Sequence, residues 1–241
     1  MTAVTAPARG GTRGRTLNVV RLQLINSQSL VWVPLLILAG TLVICLFIFA
    51  MIPGDGVKPT GAANAPLWYF AALGVQAMTL SFPFSQAMSI TRREFFIGTV
   101  AFGAIGSAMM ASLFLVLALI ERATEGYGMN GMFAYLPWLF EPGWASAWLS
   151  YFTLTMFLFV AGFWIATVYK RVGTLVLSVV MTALALAIVI AVFFITRTGS
   201  WPPIIEFFAG LGPLAFTLYG LGLTALMSVG AYLTLRRATV S

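Results

Sequence analysis

Two arginines and a glutamate stand together in the stretch SQAMSITRREFFIGT, residues 85–99, of a 241-residue chain in which only 8% of residues are charged. Thr91 followed three residues later by Glu94 has the spacing of a capping box. The threonine hydroxyl accepts from the Glu94 amide while the glutamate reaches back to the Thr91 amide, so a helix is expected to start at Thr91. That places Arg92 and Arg93 in the first turn, near the positive end of the helix dipole, where cations are slightly unfavourable. Some other interaction must favour them there. Catalysis has little else to work with. The absence of histidine removes the commonest general base, zinc ligand and axial haem ligand. Cys45 is the single cysteine, so no disulfide can form within the chain. No G-x-x-x-x-G-K-[ST] occurs, and neither Lys58 nor Lys170 follows a glycine-rich loop, so the chain is not expected to cradle nucleotide phosphates. Without a nucleophile–base spacing, no enzymatic activity is expected.

The elements that must carry these residues are overwhelmingly apolar. At 61% the hydrophobic fraction exceeds the roughly 45–50% of soluble domains, and it falls in runs of about twenty residues or more, enough to cross a ~30 Å hydrocarbon core as helix. The runs lack the ~10-residue alternation of barrel strands. The fold class expected is an all-α membrane protein with six transmembrane helices at about 29–52, 66–90, 95–120, 145–168, 173–195 and 213–235. Residues 1–15, MTAVTAPARGGTRGR, read as a disordered basic tail, and 16–241 as a single transmembrane domain. The first run is too long for a signal-peptide core and no A-x-A-like cleavage site follows it, so it is expected to be retained. Leu17, Val20 and Leu24 share a helical face before that run; residues 16–28 are read as an N-terminal amphipathic interfacial helix, or as a polar extension of the first span. WPPIIEFFAGLGP at 201–213 pairs prolines suited to a helix start with Gly210, Gly212 and Pro213, which break it, and predicts a short outer half-helix or hairpin before the sixth span.

Charge placement sets the orientation. Of the 13 Lys and Arg, all but Lys58, Arg122 and Arg197 fall in the amino-terminal segment, the turns at 92–93 and 170–171, and the carboxyl end, which predicts both termini cytoplasmic. Asp55, Glu121, Glu125, Glu141 and Glu206 then lie outside and Glu94 is the one acidic exception. A net charge of +7 distributed this way reflects topology, not nucleic-acid binding. Tyr127, Tyr135, Trp138 and Trp144 in the loop after the third span suit the outer headgroup level.

Two readings of the TRRE turn remain open on this frame. Arg92 and Arg93 enforce topology and contact anionic headgroups, or Thr91 to Phe96 form a docking helix for a cytosolic partner. Phe95 and Phe96 start the third span at once, so a push on the turn would reach two membrane helices without a flexible linker. Within the spans, Gln76, Thr79, Pro83 and Gln86 share an arc of about 80° on the second helix, and Thr174, Ser178 and Thr182 repeat every fourth residue on the fifth. Such faces are expected to line a translocation path or to pack helices. Pro83 should kink its helix by freeing the carbonyl of Thr79. No charged residue falls at mid-span, which argues against proton- or sodium-driven transport and favours an amphipathic or hydrophobic solute over a sugar or an ion.

An interfacial helix, six spans, the SITRREFFIGT turn between the second and third, a larger outer loop after the third and a broken outer helix before the sixth resemble the ABC-2 type permease subunits of ATP-binding-cassette exporters. The resemblance covers nearly the whole chain in topology and rests at residue level chiefly on that turn. It implies that Thr91, Arg92, Arg93, Glu94, Phe95 and Phe96 form a coupling helix for a cytosolic ATPase subunit. It further implies two copies of that ATPase, which would handle ATP and Mg, and a second permease copy or a related permease, in a bacterial plasma membrane. A non-transporting membrane anchor or regulatory subunit that docks a cytosolic partner is the alternative.

Overall fold

A computed structural model describes residues 28–54 and 56–236. The basic tail expected at 1–15 and nearly all of the interfacial helix expected at 16–28 lie outside the described residues. The apolar runs fold as α1 (Gln28–Met51), α2 (Asn64–Ala87), α3 (Arg92–Ala123), α4 (Pro137–Phe140), α5 (Trp144–Arg197), α6 (Trp201–Gly210) and α7 (Pro213–Leu235). Five of these, α1, α2, α3, α5 and α7, are long and apolar enough to cross a membrane. The fourth and fifth expected spans fall within α5, whose 54 residues are interrupted by non-helical Gly173 at φ 79, ψ 172, a left-handed position that suits glycine. The expected half-helix is α6, with proline in its first turn.

The core forms where α2, α3 and α7 meet the first half of α5. Two close approaches require glycine. A Cβ on Gly162 would overlap the Ala71 carbonyl, and one on Gly74 the Phe159 carbonyl, so α2 and α5 cross nearly backbone to backbone. Along α3, Gly103 faces the Phe159 ring and the Ser107 hydroxyl donates to Met156 Sδ at 3.9 Å. Phe70, Phe95, Phe114 and Phe159 fill the spaces these small residues leave, each almost wholly buried.

α7 runs parallel to the first half of α5. Thr217 Oγ1 lies 2.6 Å from Ser150 Oγ, and a Cβ on Gly230 would come 2.9 Å from the Trp164 ring. The second half of α5 stands apart from the core: no residue from Thr174 to Arg197 is buried. Near its carboxyl end α2 passes through a π-helical turn, Ala77–Ser81, in which the Phe82 amide donates to the Ala77 carbonyl. The distortion sits just before Pro83, which cannot donate to the carbonyl of Thr79, the place where a kink is expected.

Candidate functional site

The TRRE turn is held tightly. Thr91 has the extended backbone of an N-cap, and its hydroxyl accepts from the Glu94 amide at 3.3 Å. Glu94 Oε2 accepts from the Thr91 amide at 3.0 Å and from its hydroxyl at 2.8 Å, completing the capping box. What offsets the unfavourable dipole position of Arg92 is visible at the far end of the chain. Its Nη1 donates to the carbonyls of Leu235 at 3.2 Å and Arg236 at 2.7 Å, so it neutralises the negative end of α7. Phe95 is fully buried, edge-on to Phe82 with ring centres 5.2 Å apart and 6.4 Å from Phe163. Phe96 packs on Tyr232 at 5.1 Å and on Phe163 at 6.2 Å. Of the six residues read as a docking helix, Thr91 and Arg93 are exposed, Arg92 and Phe96 half-buried, and Glu94 and Phe95 buried. The turn is thus fastened to α2, α5 and α7, with Arg93 as its outward cation.

The polar stripes are placed apart. Gln76 and Thr79 are half-buried, and the Thr79 hydroxyl donates to the Val75 carbonyl at 2.9 Å. Gln86 Nε2 donates to the Ile90 carbonyl at 3.2 Å, and Pro83 is exposed. Thr174, Ser178 and Thr182 lie on the exposed half of α5. The two stripes do not meet inside this chain.

The opposite end of the bundle carries a built cap. Lys58–Pro59 (β1) pairs in parallel with Gly131–Met132 (β2), and Lys58 Nζ donates to the Phe49 carbonyl at 3.0 Å, closing the end of α1. The Glu121 carboxylate, at the end of α3, is buried and accepts from three successive amides: Phe133 at 3.1 Å, Ala134 at 2.8 Å and Tyr135 at 3.1 Å. Arg122 lies 6.0 Å from the Tyr135 ring centre and 5.9 Å from that of Trp144. Tyr127, in the loop between, has a buried hydroxyl without a hydrogen-bond partner; desolvation, and then the Glu121 charge, push its phenol up to about 12.

Beneath this cap, bounded by α2, α4, α5 and α7, lies a cavity of about 410 Å³. Its walls are mainly aliphatic and aromatic, and its polar side chains include Thr60, Asn64, Ser150, Thr153 and Thr217. None of Gln76, Thr79, Pro83, Gln86, Thr174, Ser178 or Thr182 lines it.

No family model, curated protein or solved structure matches this chain. Sequence reasoning passed over the cavity because its polar members come from a loop and three helices, with no common period. Glu121 was legible only as an acidic residue outside the spans; its partners are backbone amides, which carry no residue signature. Among the described residues, no group of three or more His, Cys, Asp or Glu is placed to hold a metal ion.

Proposed function

We propose that this chain is the permease subunit of an ATP-driven exporter of the ABC-2 type, multi-pass in a bacterial plasma membrane with both termini cytoplasmic. It moves an amphipathic or hydrophobic solute outward by alternating access, powered by two copies of a separate ATPase that bind ATP and Mg. The observation that carries this reading is the fastening of the TRRE turn: Arg92 holds the end of α7, while Phe95 and Phe96 reach α2, α5 and α7. Force applied at Thr91 or Arg93 would therefore reach three further helices through packed or hydrogen-bonded contacts. A turn serving topology alone has no need of such connections.

Connectivity supports six crossings. α7 parallels the first half of α5, and Arg171 and Arg236 line one pocket at the shared end of the two helices. The chain must then climb back to Pro213, about 35 Å along the 23 residues of α7, and the helix from 174 to 197 has about that length. Gly173 is the reversal point, and the returning helix is the fifth crossing. With none of its residues buried in this chain, it suits a position against a second permease copy, or a related permease, so that Thr174, Ser178 and Thr182 line a path between subunits. The separation of the two polar stripes within one chain also favours the alternative, an anchor that docks a partner without transporting.

The test is purification of the tagged chain from its native membrane with Mg·ATP hydrolysis as readout. Co-purifying ATPase activity that is lost in a correctly inserted Arg93→Glu variant supports docking at the turn. Equal activity with both forms, or none with either, refutes it. Solute movement in reconstituted vesicles then separates exporter from anchor.

A further inference from the structure

We propose that the cavity beneath the outer cap is a binding site for an uncharged, single-chain amphiphile of the monoacylglycerol type, entering sideways from the outer leaflet. Depth is the first argument. The site extends from the β1 residue neighbour Thr60 and loop residue Phe133 down to Leu223 on α7, ten residues below Pro213, or about 15 Å of helix. That is about half of a ~30 Å hydrocarbon core, the depth of one leaflet. Its volume of about 410 Å³ falls within the roughly 300–1,000 Å³ of small-molecule sites.

Access is lateral. Trp138 and Phe216 meet edge to face at 6.5 Å, and with Leu154 and Leu223 they are substantially exposed, forming an apolar rim. Water would find few of the two to four polar partners that a buried molecule needs along such walls. No Asp, Glu, Lys or Arg lines the cavity, so a charged head would be desolvated without compensation.

Thr153 supplies the specific contact. Threonines of this chain characteristically turn their hydroxyls back onto the carbonyl four residues earlier: Thr155 onto Tyr151, Thr167 onto Phe163, Thr217 onto Pro213 and Thr224 onto Gly220. Thr153 does not. It is 5% exposed, its Oγ1 is buried, and it has no hydrogen-bond partner. A buried hydroxyl left unpaired is costly, and a χ1 rotation, which exchanges Oγ1 with the Cγ2 methyl now beside Gly220, would present it to an ester or hydroxyl oxygen in the cavity and remove that penalty. The neighbouring Ser150 and Thr217 hydroxyls, 2.6 Å apart, reach the carbonyls of Ser146 at 2.9 Å and Pro213 at 2.8 Å and have less need of a ligand. Asn64 and Thr60, toward the cap, offer uncharged groups to head hydroxyls. This assignment uses none of the docking-turn residues and stands without an ATPase partner.

The protein in nanodiscs of zwitterionic phospholipid is photolabelled with a monoacylglycerol bearing a diazirine in mid-chain. Crosslinks are expected within residues 150–157 and 216–223, displaced by unmodified monoacylglycerol. The helix from 174 to 197, in which no residue is buried, reports non-specific contact. Thr153→Val removes the hydroxyl while keeping the side-chain shape, and since that hydroxyl has no partner in the chain, its loss costs the fold nothing. The competitor concentration for half displacement should rise about three- to tenfold in this variant. Gly220→Leu, which fills the cavity wall beside Thr153, should abolish specific labelling. Labelling of 174–197 as dense as that of the cavity, displacement unaffected by Thr153→Val, or equal competition by a fatty-acid carboxylate would each overturn the proposal.

Discussion

Replacing Glu121 by glutamine tests what holds the cap at residues 131–135. The carboxylate is 2% exposed and receives the amides of Phe133, Ala134 and Tyr135 within 3.1 Å, an arrangement that serves three donors with one anion. Glutamine keeps one acceptor oxygen but turns an NH2 group toward the same amides, so at least one donor loses its partner and the remainder lose charge assistance. A hydrogen bond to a charged group contributes about 1.5–3 kcal/mol, which puts the local loss at about 2–3 kcal/mol. Amide hydrogen exchange reads local opening directly, and that loss corresponds to exchange about 30- to 140-fold faster at residues 133–135. Glu125→Gln, at an exposed residue of the same loop, should leave those rates unchanged. Rates in Glu121→Gln equal to those of the parent would show that the carboxylate does not fasten the loop, and the account of the cap would fail. The consequence reaches the cavity, because Phe133 lines it and is held by the clamp.

Three further outcomes follow from the same geometry. Glu94→Ala removes half of the capping box and should destabilise the start of α3 by about 0.5–2 kcal/mol, read as faster exchange at residues 92–95 with the Lys and Arg topology count intact. Gly162→Ala forces a methyl into the Ala71 carbonyl; it should disrupt the α2–α5 crossing and lower the thermal midpoint, whereas Gly128→Ala, where a Cβ meets nothing, should affect only the local left-handed turn. The phenol of Tyr127 is raised from 10.0 to about 12, so its neutral form contributes stability that is complete below pH 10 and lost as pH rises through about 12. A difference titration against Tyr127→Phe should show one phenol ionising near 12, and ionisation near 10 would place that hydroxyl in water.

The long elements were legible because hydropathy runs and turn residues act locally. The expected span at 29–52 corresponds to Gln28–Met51, and the one at 213–235 to Pro213–Leu235. The TRRE capping box was equally local, since Thr91 and Glu94 are three residues apart and interact mainly with each other. The acceptors of Arg92 were not legible: the carbonyls of Leu235 and Arg236 are more than 140 positions away and belong to the backbone. The same limit hid the cavity and the Glu121 clamp. Small-residue rows show both sides of the problem. Gly103, Ser107 and Ala111 do pack within the chain, whereas Ala183, Ala187 and Ala191 have the same spacing and lie exposed on the second half of α5. Spacing identifies a face; it does not say whether this chain or another molecule covers it.

α2 connects the two ends, and its construction bears on the permease reading. Its first turns supply Asn64 and Leu67 to the cavity beneath the cap, while its last lead into Thr91. Between them, Gly74 is fixed against α5 by backbone contact, and the π-helical turn at Ala77–Ser81 with Pro83 follows directly below. A helix pinned at one point and weakened just beyond it bends at the weak point, so movement of the TRRE turn would be absorbed largely at residues 77–83 while the portion above Gly74 stays with α5. On that reasoning the cap and its cavity keep their shape while the half that carries the TRRE turn moves. Restoring a regular helix with Pro83→Ala should therefore stiffen the joint and transmit motion upward, altering coupling while leaving binding at the Thr153 cavity intact.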